Sequence, residues 1–387
     1  MAYFSKNKVF HKWRRLKLLF RRLDFAQIFP MLGLISIGIL FIYGTGQQTG
    51  DPTALHFWEK QLGWAGLGIC VWTFLTFSNY RSLRYWAIPV YIICIVLLLY
   101  VLSSHGLKIY GAKRWLQVFS IRIQPSEFAK FAVLLLVSWL LSMKFFNANK
   151  FTTLALLAII AGIPFFLIFK QPDLGSSLVL IPTVAVILFV ANLNWKFIVF
   201  FALLGIAVVP AAYPFLSHYQ KERILVFLDP ERDPRNRGWN QLQSELAVGS
   251  GGMTGKGFMQ GTQNTLGFIP KTVSNTDFIF SVIAEETGFI GSASIVILYV
   301  MLIFSALRTA IMARDEFGRY LSVGIAAIFF THSVINIGMS IRIMPVTGIP
   351  LPLISYGGSF MITSLIYLGI LQSIYAHRKT TFFSESD

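Results

Sequence analysis

The chain has 387 residues, of which 55% are hydrophobic and only 13% charged, and its formal net charge is +16. A soluble globular domain carries about 25% charged residues, so the composition excludes that class and points to a polytopic membrane protein. The basic residues sit mostly between apolar runs, where membrane topology accounts for them, so no nucleic-acid partner is implied.

The chain opens on a basic arm, residues 1–24, holding eight Lys and Arg. The apolar run behind it starts near Phe25, is about a full span long and shows no small-residue cleavage site, so it reads as a retained anchor. A span needs roughly 20 mostly apolar residues. Such stretches fall at 25–44, 60–77, 84–103, 124–142, 151–169, 173–191, 195–215, 278–305, 319–341 and 355–376. Backbone groups in lipid must pair internally, so each is predicted to be a helix. The expected fold class is therefore all-α. It is a single domain of about ten transmembrane helices over 25–376, with a long external loop, 216–277, between helices 7 and 8. A short tail, 377–387, follows. Lys and Arg are richer on the side of the N-terminus, which places both termini in the cytoplasm. One external loop resists this bias, because 104–123 carries Lys108, Lys113, Arg114 and Arg122. Cys70 and Cys94 both lie in apolar runs and show neither disulfide nor metal-ligand spacing.

Five stretches carry charge or turn chemistry where plain spans would not. In IQPSEFAKF, Pro125 suits a first helical turn, and Lys130 shares a helix face with Glu127 three residues earlier. A lone charge in lipid is expensive, so the two are expected to form an internal pair or to line a polar cavity. In KQPDLGSS, Asp173 follows a Pro at a helix start, as a capping residue or as part of a site. GSGGMTGKG over 249–257 fails the phosphate-loop pattern G-x-x-x-x-G-K-[ST] at both ends. Its glycines serve either tight turns or a close approach of backbone and Lys256 to a bulky anion. In NTDFIFSVIAEETGFIG, Asp277 stands at a helix mouth. At about 1.5 Å per residue Glu285 is expected roughly 12 Å deeper, and Glu286 points away from Asp277. RIMPVTGIPLPLISYGGSF, with three prolines and three glycines, reads as a broken re-entrant stretch. His332 and Asn336, at i and i+4 in the preceding span, read as packed and hydrogen-bonded.

On the external side these features give a surplus of cations (Lys113, Arg114, Arg122, Arg223, Lys256 and Lys271), a glycine-rich loop and one carboxylate. Cations at this depth suit a phosphorylated or diphosphate lipid headgroup. One carboxylate among them suits a general base. The chemistry expected is group transfer with a diphosphate leaving group whose charge the cations stabilise. The residues do not name the sugar, and they leave open whether a divalent cation assists.

QPSEFAK, KQPDLGSS, GSGGMTGKGFMQGTQ, TDFIFSVIAEETGFIG and MPVTGIPLPLISYGGS occur in this order over residues 25–375. Together they resemble the SEDS family (shape, elongation, division, sporulation) of bacterial cell-wall polymerases, and QPDLGSS and VTGIPLP resemble its RodA-like elongation branch. The resemblance implies a ten-helix peptidoglycan glycosyltransferase of the bacterial inner membrane that polymerises lipid II, a disaccharide-pentapeptide on undecaprenyl diphosphate. It places the catalytic aspartate at Asp277 and functional charges at Glu127, Lys130 and Arg122. It also implies a class B penicillin-binding protein as partner, among other membrane proteins of the rod complex. Two other functions compete. One is a transporter or flippase of the same lipid, using Lys130, Glu285 and Glu286 as a polar path. The other is a non-catalytic scaffold, which would not need Asp277.

Overall fold

The computed structural model describes residues 23–49, 54–103, 106–109, 112–118, 121–215, 218–229 and 237–378. Nearly all of the predicted N-terminal arm and C-terminal tail lies outside these residues. The apolar stretches form helices where lipid solvation requires them. They are α1 Phe25–Thr49, α2 Phe57–Phe77, α3 Leu83–Leu102, α4 Pro125–Leu141, α5 Phe151–Lys170, α6 Leu174–Val190 and α7 Trp195–Ala212. After the long connection come α12 Ile279–Met312, α13 Glu316–Ser340 and α14 Gly358–Ala376. Among the described residues, six helices (α1, α3, α5, α12, α13 and α14) are apolar and long enough to cross a membrane. The fold is mostly helical, as expected, with one addition. The loop that carries the unexpected cations holds a small antiparallel sheet of β1 Leu107–Ile109, β2 Ala112–Val118 and β3 Ile121–Ile123, in the order β1-β2-β3.

The helix ends follow their local sequences. Pro125 opens α4, where the missing N–H has no intrahelical partner to lose. Asp173 caps α6 by accepting from Ser176 N at 3.2 Å, and Asp315 caps α13 by accepting from Gly318 N at 2.9 Å. The expected long connection is largely helical as well: α8 His218–Leu228, α9 Arg237–Ser250, α10 Thr262–Thr265 and α11 Lys271–Ser274. Helix α9 packs on α12 and α13.

Burial sorts the bundle. The most apolar windows of α13 and α14 are 78% and 83% buried, against 22% for α3 and 28% for α12. The first two therefore form the centre, and the others offer faces to lipid. α13 packs on α4, α6 and α12, and α14 packs on α2. Between α13 and α14 the chain runs without helix through residues 342–357, with Thr347, Ile349 and 351–355 buried. This is the predicted re-entrant stretch, held inside protein where irregular backbone can find partners.

Helix α12 has 34 residues. A straight helix of that length would span about 51 Å, against a hydrocarbon core of about 30 Å. The conflict is resolved at Gly288, whose φ of 66° and ψ of −158° break the helix. Thr45 on α1 bonds Asn275, and Gln48, one turn further along α1, bonds Glu286 at 2.8 Å. Asn275 and Glu286, at the two ends of the first part of α12, thus both bond to the last turns of α1.

Candidate active site

Three successive carbonyls fix the backbone at Asp277. Asn275 O accepts from Tyr356 N at 2.9 Å, Thr276 O from Ser355 Oγ at 2.6 Å, and Asp277 O from Asn336 Nδ2 at 3.0 Å. Two of these donors belong to the re-entrant stretch and the third to α13. Unpaired buried carbonyls are costly, so the irregular stretch and the mouth of α12 satisfy each other. The result is a carboxylate on a rigid backbone.

Its side chain faces Gly348 and Arg223. A Cβ built on Gly348 would lie 3.3 Å from Asp277 Oδ2 and 3.5 Å from Arg223 Nη2. Gly348 also has a φ of 72°, a conformation glycine adopts without strain. Arg223, on α8, donates from Nη1 to Thr347 O at 2.6 Å. Arg114, on β2, donates to the carbonyls of Gln171 and Pro172 and lies 3.8 Å from Asp173 Oδ1. Gln124 Nε2 donates to the other Asp173 oxygen at 3.3 Å. Asp277 keeps some accessible surface. Burial nevertheless pushes its carboxyl above the usual carboxylate range, with Arg223 and then Arg114 pulling it back and Asp173 adding to the rise. Asp277, Arg223, Arg114 and Asp173 therefore form one electrostatic cluster.

The other predicted cations stand differently. Lys113 Nζ donates to Ser103 O at 3.1 Å. Arg122 is exposed, and its charge acts on Tyr356, whose ring stacks on Phe57 at 4.5 Å. The side chains of Lys108 and Lys271 lie outside the described residues. Lys256 does not face the cluster as a loose phosphate ligand: its Nζ lies 2.6 Å from Glu285 Oε1 and 2.8 Å from Thr262 Oγ1. That pairing closes the charge of Glu285, the first of the two glutamates in α12.

The break at Gly288 leaves the carbonyls of Glu285 and Glu286 without helical partners. The N–H groups of Lys256 and Gly257 take them, both at 3.0 Å. The Glu285 carboxylate accepts from Thr262 N at 2.8 Å and from Lys256, and Glu286 accepts from Met259 N at 2.9 Å and from Gln48. The glycine-rich loop is thus a wedge in a helix break, the tight-turn alternative of its two readings. Gly255 has a φ of 80°, and a Cβ there would collide with the Glu286 carbonyl. Gly255→Ala is expected to lower stability by at least about 1–2 kcal/mol from the left-handed backbone alone, read as a lower thermal midpoint in detergent.

Glu127 and Lys130 pair as predicted, at 2.9 Å, with side chains 2% and 1% exposed. Lys130 Nζ also lies 3.0 Å from His332 Nε2. Nothing in the sequence singles out Thr347, Ser355 or Tyr356 as site-building residues: Thr347 and Tyr356 act through backbone groups, which carry no residue-type signature, and Ser355 through a single hydroxyl among many. Among the described residues no group of three or more His, Cys, Asp or Glu is placed to hold a metal ion.

The family of cell cycle proteins that groups FtsW, RodA and SpoVE matches residues 21–380. The chain belongs to this family. The peptidoglycan glycosyltransferase MrdB of Escherichia coli (strain K12) is 39% identical over 365 residues, covering 92% of this chain and 94% of that protein. Stage V sporulation protein E of Bacillus subtilis (strain 168) is 34% identical over 356 residues, covering 91% and 96%. A solved chain from a peptidoglycan synthase complex that coordinates polymerization and crosslinking superposes with a TM-score of 0.79 at 31% identity, covering 92% of this chain and 99% of that one. The rod shape determining protein RodA of Thermus thermophilus superposes with a TM-score of 0.68 at 27% identity, covering 92% and 97%. The FtsW/RodA/SpoVE fold thus extends over almost the whole chain, including the re-entrant stretch and the mouth of α12.

Proposed function

We propose that this chain is a peptidoglycan glycosyltransferase that polymerises lipid II at the outer face of the cytoplasmic membrane during elongation. The observation that carries the reading is Asp277, rigidly held at the mouth of α12 and flanked by Arg223. Asp277 takes the proton of the acceptor hydroxyl as that oxygen forms the new glycosidic bond. The bond from the anomeric carbon to the diphosphate breaks, and undecaprenyl diphosphate leaves with the bonding pair. Arg223 and Arg114 stabilise its charge. Arg122 is exposed, open to a headgroup that approaches the site. Lys113, bonded to Ser103 O, and Lys256, closed on Glu285, are not among the charges that act on Asp277, as Arg223 and Arg114 are, and drop out of the diphosphate site. The end of the bundle bearing Asp277 is read as external, with both termini cytoplasmic. The likeness to a chain from a synthase complex supports a crosslinking partner, read here as a class B penicillin-binding protein.

The discontinuous backbone of 342–357 is also a feature of transporters. Against that reading, Lys130, Glu285 and Glu286 are each closed by a protein partner and do not line a path.

The reading is tested by supplying the purified chain and its partner with labelled lipid II and resolving glycan polymer on a gel. Polymer supports it; none from an intact complex overturns it. The pH dependence follows from the site. The base works ionised, and burial raises its pKa, so the rate is expected to rise with pH along a limb above an ordinary aspartate at about 3.9. Arg223→Gln removes the main opposing charge, so initial rates measured against pH are expected to show that limb displaced upward.

A further inference from the structure

His332 and Asn336 lie one turn apart on α13, so their side chains share a face. His332 is 1% exposed and Asn336 0%. Lys130 Nζ has only hydrogens to give, so the His332 Nε2 it meets at 3.0 Å must accept. The ring proton is then on Nδ1, which donates to Pro350 O at 3.3 Å. Asn336 Nδ2 donates to two carbonyls, Ile349 O at 2.7 Å and Asp277 O at 3.0 Å. Two neighbouring carbonyls of the re-entrant stretch are therefore gripped from one helix face. Asn336 also bridges that stretch to Asp277. Behind His332 stands the Glu127–Lys130 pair, buried and closed at 2.9 Å.

We infer that His332 and Asn336 are positioning residues that fix Asp277 and the re-entrant stretch over it, and that the Glu127–Lys130 pair acts on the site through His332. The inference rests on the glycosyltransferase reading. It turns a pair that packing alone would explain into a mechanical link. Lys130 orients the imidazole, the imidazole holds Pro350, and Asn336 holds Ile349 and Asp277 in one geometry. Neither side chain need touch substrate. A displacement of about 1 Å at a reacting group can cost about 100-fold in rate, and Asn336 is the side chain whose loss frees the Asp277 carbonyl.

The test compares Asn336→Leu, His332→Phe and His332→Gln in the full-length protein with its partner. Glutamine keeps one donor and one acceptor; phenylalanine keeps the ring without them. Asn336→Leu is expected to lower kcat about 10–100-fold and His332→Phe about 10-fold, with KM for lipid II within about 3-fold of wild type and His332→Gln recovering most of the loss. Wild-type kcat in Asn336→Leu and His332→Phe overturns the inference, and so does His332→Gln falling as far as His332→Phe. Hydrogen exchange provides a readout independent of turnover. Amides over 347–356 and 275–278 are expected to exchange faster in Asn336→Leu and His332→Phe but not in His332→Gln. If wild type itself makes no polymer, the glycosyltransferase reading fails on its own. The positioning link then stands with faster exchange and falls with unchanged exchange.

Discussion

Lys130→Met is expected to destabilise the folded protein by about 3–5 kcal/mol, the usual cost of removing one partner of a buried ion pair. The side chains of Glu127 and Lys130 are 2% and 1% exposed, so neither can turn to water when the other is lost. Glu127 would be left as a buried carboxylate with no cation beside it, and His332 Nε2 would lose its donor. Thermal unfolding in detergent reads the effect. The double variant Glu127→Gln with Lys130→Met removes both charges and is expected to regain most of the stability, because a neutral pair avoids the desolvation that makes the single variant costly. A Lys130→Met protein that melts with wild type would show that water reaches the pair.

Asp277→Asn is expected to do the reverse, abolishing function and sparing stability. Burial raises its carboxyl above the usual aspartate range. A group whose folded pKa is raised stabilises the fold below its unfolded pKa and loses that contribution as pH climbs through the folded value. At pH 8 the ionised carboxylate is therefore a net cost, which the neutral amide avoids. The variant should melt at or above wild type at pH 8, and its advantage should shrink as the pH falls toward the unfolded value. Transfer should fall by at least about 100-fold, the lower end of what a general base contributes. The backbone bonds of Asn275, Thr276 and Asp277 do not involve the carboxylate, so the site keeps its shape. A lower melting point at pH 8 would mean that the Arg223 and Arg114 charges outweigh burial.

The bundle was legible because lipid leaves the backbone few options: the apolar runs had to be helices, and they are. The Glu127–Lys130 pair was legible because a three-residue spacing on a helix puts two side chains together. Asp277 stood out as a carboxylate at a helix mouth, and Arg114 and Arg223 as cations between spans. What was not legible is of another kind. Gly288 sits in TGFIG, where nothing distinguishes a glycine that breaks a helix from one that packs against a neighbour. Its φ is fixed by contact with residues near Gly255, more than 30 positions away. With no break expected in this span, Lys256 was left without its true partner, Glu285. The strands of 107–123 were too short for alternation to stand out. Asn336 was visible as an amide in a span, but two carbonyls from different segments had to converge on it before it had a role.

The most direct test of the central claim is lipid II polymerisation by the partnered wild-type protein beside Asp277→Asn, resolved on one gel after both have been shown to be folded and bound to the partner. The account predicts a glycan ladder from wild type and none from the variant. Polymer of equal length and yield from both would contradict it, leaving Asp277 a structural residue and placing the base elsewhere.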